Sequence, residues 1–310
     1  MLRTAPTVDD PRTRLDRLLS LFTDVRAGEG TTALLMLANI FVLLVCYAII
    51  KTVREPLILL GGGAEVRSYA AAGQALLLMG VVPLYGCFAA RVGRAALVVG
   101  VTLSFIAGLA LFAAAVRAGV PYVGVAFFIW VGIFNVSLIA QFWSFANDIY
   151  TREAGGRLFP VIVMGMTAGA PLGSFVAARL FRFGLSVPAI LSVAAALLAT
   201  SAVLYLRISR RGVLHATPGL ALPSSTGGFG LVLGNSYLRR IALLVVLLNV
   251  VNTTGEYMVA RLLASHAAAL AAANPGFDRQ AFIGAFSGDY QFVVNVVALL
   301  LQAFVTARLV

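Results

Sequence analysis

The 310-residue chain is 61% hydrophobic and only 11% charged, whereas soluble domains run roughly 45–50% apolar and about 25% charged, so it carries more apolar surface than one globular core can hide. That excludes an ordinary soluble enzyme and makes a lipid bilayer the partner of most of its surface. The formal net charge of +11, from 23 Lys and Arg against 12 Asp and Glu, suits nucleic acid, anionic lipid or an anionic small molecule, and the placement of the cations decides among them.

Residues 1–30 are polar and lack the order of a cleavable signal peptide, a basic stretch followed by an apolar one and small residues. They are expected to form a cytoplasmic N-terminal segment. A helix needs about 20 mostly apolar residues to cross the hydrocarbon layer, because every backbone group must be satisfied internally. Eight segments meet that requirement: 31–50, 68–90, 95–116, 122–145, 159–181, 185–206, 241–260 and 286–310. The predicted fold class is therefore an all-α polytopic membrane protein. Cys46 and Cys87 both fall inside apolar runs without a close partner, so neither a disulfide framework nor a metal site is expected. Counted by gap, fifteen Lys and Arg fall on the side of the N-terminus and eight on the other. The positive-inside rule then puts the N-terminus in the cytoplasm. Much of the net charge is accounted for by topology, and no nucleic acid is expected as a partner.

The longest gap, 207–240, holds Pro218, Pro223, Ser224, Ser225, Gly227 and Gly228 and reads as a flexible cytoplasmic linker. It separates a six-helix bundle (31–206) from a second unit (241–310) with two spans. Polar positions of the two units match at fixed offsets: Asn39 with Asn249, Tyr47 with Tyr257 and Lys51 with Arg261, then Gln74 with Gln291 and Arg91 with Arg308. Such matches are the mark of a duplicated bundle. On that pattern the chain is expected to be the front part of a longer one.

Polar side chains inside spans are costly and so point to function. Tyr47, Lys51 and Arg54 share one helical face if the first helix continues past Ile50, as do Ser137, Gln141, Ser144 and Asp148 in the fourth span and Asn249, Asn252, Thr253 and Glu256 in the seventh. These stripes make Lys51, Arg54, Gln141, Asp148, Asn252 and Glu256 the candidate substrate-binding residues. Snorkelling to the outer interface is the plain alternative for Lys51 and Arg54, and a solvated helix end is the alternative for Asp148. His215 and His266 read as loop residues. Gly165, Gly169 and Gly173, with Pro171 among them, form a small-residue stripe for close helix packing. No convergent catalytic constellation is present, so a transporter is expected rather than an enzyme.

The loop Gly86-Cys-Phe-Ala-Ala-Arg91-Val-Gly93-Arg94 resembles the short cytoplasmic signature of the major facilitator superfamily, with Ala90 where that family has Asp. Arg91, Gly93 and Arg94 would form its gating loop. Lys51-Thr-Val-Arg54-Glu55-Pro, Phe142-Trp-Ser-Phe-Ala-Asn147-Asp148-Ile and Asn249-Val-Val-Asn252-Thr-Thr-Gly-Glu256-Tyr together resemble the ATP/ADP translocase family. That likeness runs from about Ala33 to Val310. It implies a major-facilitator-like fold of twelve helices, of which this chain holds about eight, exchanging nucleoside phosphates by alternating access. It also implies roles in transport for Arg54 and Glu256, while the acidic residue that the family carries in its fourth helix falls here near Val131. A monomer in a bacterial plasma membrane, with no cofactor, is expected. A metabolite, organic anion or drug carried by the same architecture, with proton coupling through Glu256, is the alternative.

The topology has a direct test by site-directed labelling: a tag near Pro223 is expected to face the cytoplasm and one near Asn274 the exterior, and finding both on one side would remove the eight-span reading.

Overall fold

The computed structural model describes residues 25–26, 29–89, 94–211, 228–302 and 304, and every regular element among them is helical. In chain order these are α1 (Glu29–Ala89), α2 (Arg94–Arg117), α3 (Val123–Ile149), α4 (Arg152–Arg182), α5 (Val187–Ser209), α6 (Gly228–Gly234), α7 (Ser236–Ala273) and α8 (Arg279–Leu301). Seven of them, all but α6, are long and apolar enough to cross a membrane. This is the architecture of a multi-pass integral membrane protein.

The first two expected spans lie in one helical run, α1, broken at Gly63, whose φ of 73° and ψ of −172° lie in a region that only glycine adopts readily. The neighbours of α1 show what the break does. Tyr47 meets Phe134 of α3, 6.5 Å between ring centroids, and Leu57 meets Gly124, so the first arm of α1 runs antiparallel to α3. In the second arm Arg67 lies by the Phe128 ring and Gln74 covers Gly132, so that arm runs parallel to α3. The chain therefore doubles back at Gly63. The expected gap between the first two spans is helical on both sides of this point, which corrects the reading of 51–67 as an interhelical stretch.

Other boundaries shift outward. Asn235 caps α7 by accepting a hydrogen bond from the Tyr237 amide (2.9 Å), and Asp278 caps α8 by accepting one from Ala281 (2.9 Å). Caps of this kind satisfy the free amides of a first turn. α7 therefore starts inside the expected linker and runs beyond 260, which places His266 on a helix against Phe282 instead of in a loop. Residues 212–227 of the linker lie outside the described residues, as do Arg91 and Gly93 of the expected cytoplasmic loop; Arg94 is the first residue of α2.

The first arm of α1 is the centre of the core, flanked by α3, α4 and α5. A Cβ added at Gly165, Gly169 or Gly173 would stand 2.5, 2.7 or 2.5 Å from the carbonyl oxygens of Leu37, Phe41 and Val45 respectively. The stripe on α4 thus lies directly on the backbone of α1, where van der Waals contact replaces the hydrophobic drive that lipid removes. Beside it, α4 presents Ser174, Ala178 and Phe181 to Gly288 and Gly284 of α8, with an Arg182–Asp289 ion pair at the rim. α1 is tied to α5 by the Ser201 hydroxyl, which donates to Asn39 Oδ1 (2.6 Å), and by the Cys46 thiol, which donates to the Ala194 carbonyl (3.2 Å). Between α2 and α3, Trp130 stacks on Phe134 (5.7 Å) and on Phe127 (5.8 Å), with Phe105 edge-on. α4 thus packs against both α1 and α8, which also meet each other.

Gly169→Ala is expected to destabilise the protein by about 1–3 kcal/mol through overpacking against the Phe41 carbonyl. Gly156→Ala on the same helix, where nothing lies within 4 Å of the added carbon, is expected to be neutral or stabilising by about 0.5–1 kcal/mol through helix propensity. Thermal unfolding of both variants in detergent checks the pair; equal effects would contradict the close approach.

Candidate functional site

Lys51, Arg54 and Glu55 lie within one turn of the first arm of α1, where steps of three and four residues share a face. Arg67 follows the Gly63 break. Twelve residues of straight helix would hold Glu55 and Arg67 about 18 Å apart. The reversal instead brings Arg67 Nε to 2.8 Å from Glu55 Oε2. Arg54 reaches the other oxygen of the same carboxylate, Nη2 to Oε1 at 2.8 Å and Nε to Oε1 at 3.3 Å. All three side chains are buried. The Arg54 guanidinium also lies over the face of Phe128, 4.1 Å from its centroid, with Arg67 at 5.8 Å. Cation–π contact of this kind contributes about 0.5–2 kcal/mol.

α7 closes the cluster from the other side of the chain. Arg67 Nη2 donates to Glu256 Oε2 at 3.0 Å, and Asn252 Nδ2 donates to Glu256 Oε1 at 3.3 Å. The two carboxylates differ in their setting: the Glu55 side chain is 10% exposed and that of Glu256 43%. An exposed ion pair contributes about 0–1 kcal/mol, whereas removing one member of a buried pair costs about 3–5 kcal/mol. Glu55 is thus structural in its energetics and Glu256 is not.

These side chains line a cleft of about 370 Å³ between α1, α7 and α8, within the range of small-molecule sites. The wall from α8 carries Ser287, Gln291 and Asn295 at four-residue intervals, which places three uncharged polar groups in line along one face. Three cations, Lys51, Arg54 and Arg67, face two carboxylates, so the cleft keeps a formal charge of +1. Lys51 makes no hydrogen bond or ion pair with any described residue. A fixed excess of cations among amides and hydroxyls can hold phosphate or carboxylate oxygens through charge-assisted hydrogen bonds.

Of the expected site residues, the structure brings together Lys51, Arg54, Asn252 and Glu256. It does not bring Gln141 or Asp148 to them. Both lie on α3 with Phe128, but 13 and 20 residues further along it, or about 20 and 30 Å. Gln141 is buried beside Leu43, Thr102 and Tyr205, and Asp148 is buried in the last turn. Gln141 thus sits inside the first bundle, where it meets side chains of α1, α2 and α5. Sequence reasoning missed Glu55, Arg67 and Phe128 as members of the site. It also missed the α8 row, although the spacing of 287, 291 and 295 was legible.

Removing the buried carboxylate in Glu55→Ala leaves two guanidinium groups without it and is expected to cost about 3–5 kcal/mol, whereas Glu256→Ala is expected to cost less than about 1 kcal/mol. Denaturation in detergent micelles compares the two, and a smaller loss for Glu55→Ala than for Glu256→Ala would contradict this assignment of roles. No known protein family, curated protein or solved structure was found to match this chain.

Proposed function

We propose that this chain is a membrane transporter for anionic metabolites, with nucleoside phosphates as its cargo and exchange by alternating access as its mechanism. One observation carries the reading: Lys51, Arg54 and Arg67 converge, with amide side chains from two further helices, on a single cleft among membrane-length helices. Ionised groups at that depth are costly to keep and are retained where they handle a charged cargo. The resemblance to ATP/ADP translocases adds support, since the two residues it singled out, Arg54 and Glu256, line the same cleft. Phosphate oxygens would enter from the α7–α8 side, where Lys51 and Glu256 are accessible, and the amides of Asn252, Gln291 and Asn295 would hold the uncharged part of the cargo. Movement of α7 against α1 and α8 would expose the cleft to alternate sides of the membrane. The N-terminus belongs on the cytoplasmic side in this reading.

A second reading keeps the architecture and changes the cargo to another organic anion, moved with a proton carried by Glu256. Its support is the position of Glu256, a half-exposed carboxylate on the cleft wall beside a cation. Counterflow with labelled ATP against other anions separates the two, since only a nucleotide exchanger accumulates label in response to internal ADP without a pH gradient.

Arg54→Ala in the transport-competent protein removes one charge-assisted donor, worth roughly 1.5–3 kcal/mol, and is expected to raise half-saturation for nucleotide about ten- to a hundredfold. Arg54→Lys keeps the charge but loses the planar fork that serves both Glu55 and Phe128, and is expected to recover only part. The measurement is the concentration dependence of exchange, normalised to protein in the membrane. Unchanged half-saturation in Arg54→Ala would remove Arg54 from substrate binding and with it the main support for nucleotides.

A further inference from the structure

The Arg67 guanidinium is shared between two carboxylates that differ in every respect relevant to a ligand. Glu55 takes one side of it, Oε2 on Nε at 2.8 Å and Oε1 on Nη2 at 3.4 Å. Glu256 takes the same Nη2 from the cleft, at 3.0 Å. The second carboxylate is the more open to a solute, at 43% exposed against 10%. Apart from Arg67, among the described residues Glu256 is held by one hydrogen bond at 3.3 Å from Asn252 of its own helix. Among the described residues, the Arg67–Glu256 pair is also the one ion pair between α1 and α7. Lys51 lines the same cleft and donates to neither carboxylate.

Resting on the reading of this cleft as an anion site, we propose that Glu256 is a tethered stand-in for the substrate's anionic group: it occupies Arg67 until a soluble polyanion displaces it and, in doing so, releases α7 from α1. The tether explains which anions succeed. A carboxylate on the cleft wall is present at the high effective concentration of an intramolecular group, so a free monocarboxylate, which offers Arg67 nothing that Glu256 lacks, loses the competition. An anion with two or more charged oxygens spaced to reach both Arg67 and Lys51 makes a bond that Glu256 does not, and wins. Selectivity for polyphosphates over monocarboxylates then follows from an internal competitor, with no clash built against the smaller ion. The same displacement couples occupancy to movement, because binding removes the polar tie that holds α7 to the second arm of α1.

If Glu256 contacted the substrate directly, removing its carboxylate would weaken binding; if it competes, removal strengthens it. ATP binding to the purified chain in nanodiscs, measured by calorimetry at constant ionic strength, is expected to tighten about three- to tenfold in Glu256→Gln and in Glu256→Ala. Acetate at tens of millimolar, an order set by the effective concentration of a tethered group, is expected to return Glu256→Ala toward wild-type affinity by filling the vacated edge of Arg67 and to leave the wild type unchanged. A merely structural role for Glu256 would not produce the acetate effect. Tripolyphosphate in place of ATP is expected to show the same order among variants. ATP affinity that falls or stays the same in both variants overturns the stand-in proposal while leaving the anion site in place. Absence of ATP and tripolyphosphate binding in the wild type and both variants overturns the anion reading of the cleft itself.

Discussion

The carboxylate of Glu55 is the point on which the cleft is built. It is buried and accepts hydrogen bonds from both Arg54 and Arg67, two cations that could not remain at that depth without it, since an unpaired buried charge costs several kcal/mol. The pairing is possible only because Gly63 turns the chain back on itself, bringing together residues that a continuous helix would keep far apart. Phe128 of α3 then supplies the face on which Arg54 lies. The direction of the second arm of α1, the register of α3 beside it and the reach of Arg67 toward α7 all depend on this clamp.

The packing around the clamp is of a different kind. α4 brings glycines onto the carbonyl oxygens of α1 and, beside them, small side chains onto Gly284 and Gly288 of α8. Close backbone contact of this sort depends on shape and is intolerant of added volume. Its effect on the cleft is indirect but large. By holding α8 against α4 it puts the row Ser287, Gln291 and Asn295 opposite the cations of α1, which no local feature of α8 would achieve.

The cleft therefore combines a rigid wall and a loosely held one. Glu55, Arg54 and Phe128 are buried and mutually bonded, whereas α7 meets α1 through the apolar contacts of Ala260 and Leu263 and through one half-exposed ion pair. A binding site that moves needs this gradient, because elements that move are drawn from the less stable end of a structure. The chemistry that would recognise an anion sits on the rigid side, and the group that a ligand can displace sits on the mobile one.

The membrane class and the positions of the long helices were legible in the sequence, because apolar length is a local property that the bilayer reads directly. So were the cations at the end of the first span and the polar stripe of the seventh, because a period of about 3.6 residues puts them on one face whatever surrounds them. The extent of α1 was not. Lys51, Arg54, Glu55 and Arg67 resemble the charged edge of a span when read one at a time, whereas in the structure helix runs through the first three and resumes at the fourth, with Glu55 accepting from both arginines. Gln141 and Asp148 form as regular a stripe as Asn252 and Glu256, yet periodicity does not say which neighbour a side chain meets, and Gln141 met α1, α2 and α5 instead of the cleft. Arg67, Phe128 and the α8 row entered the site through contacts between residues distant in sequence. What the sequence determined by itself was the set of helices and the faces on which their polar groups lie, since these depend on neighbours within a turn or two. Which faces came together, and hence which charges share a cleft, was decided by the Gly63 reversal and the glycine-to-carbonyl packing of α4, since a pairing between distant segments is set by their fit and not by the composition of either.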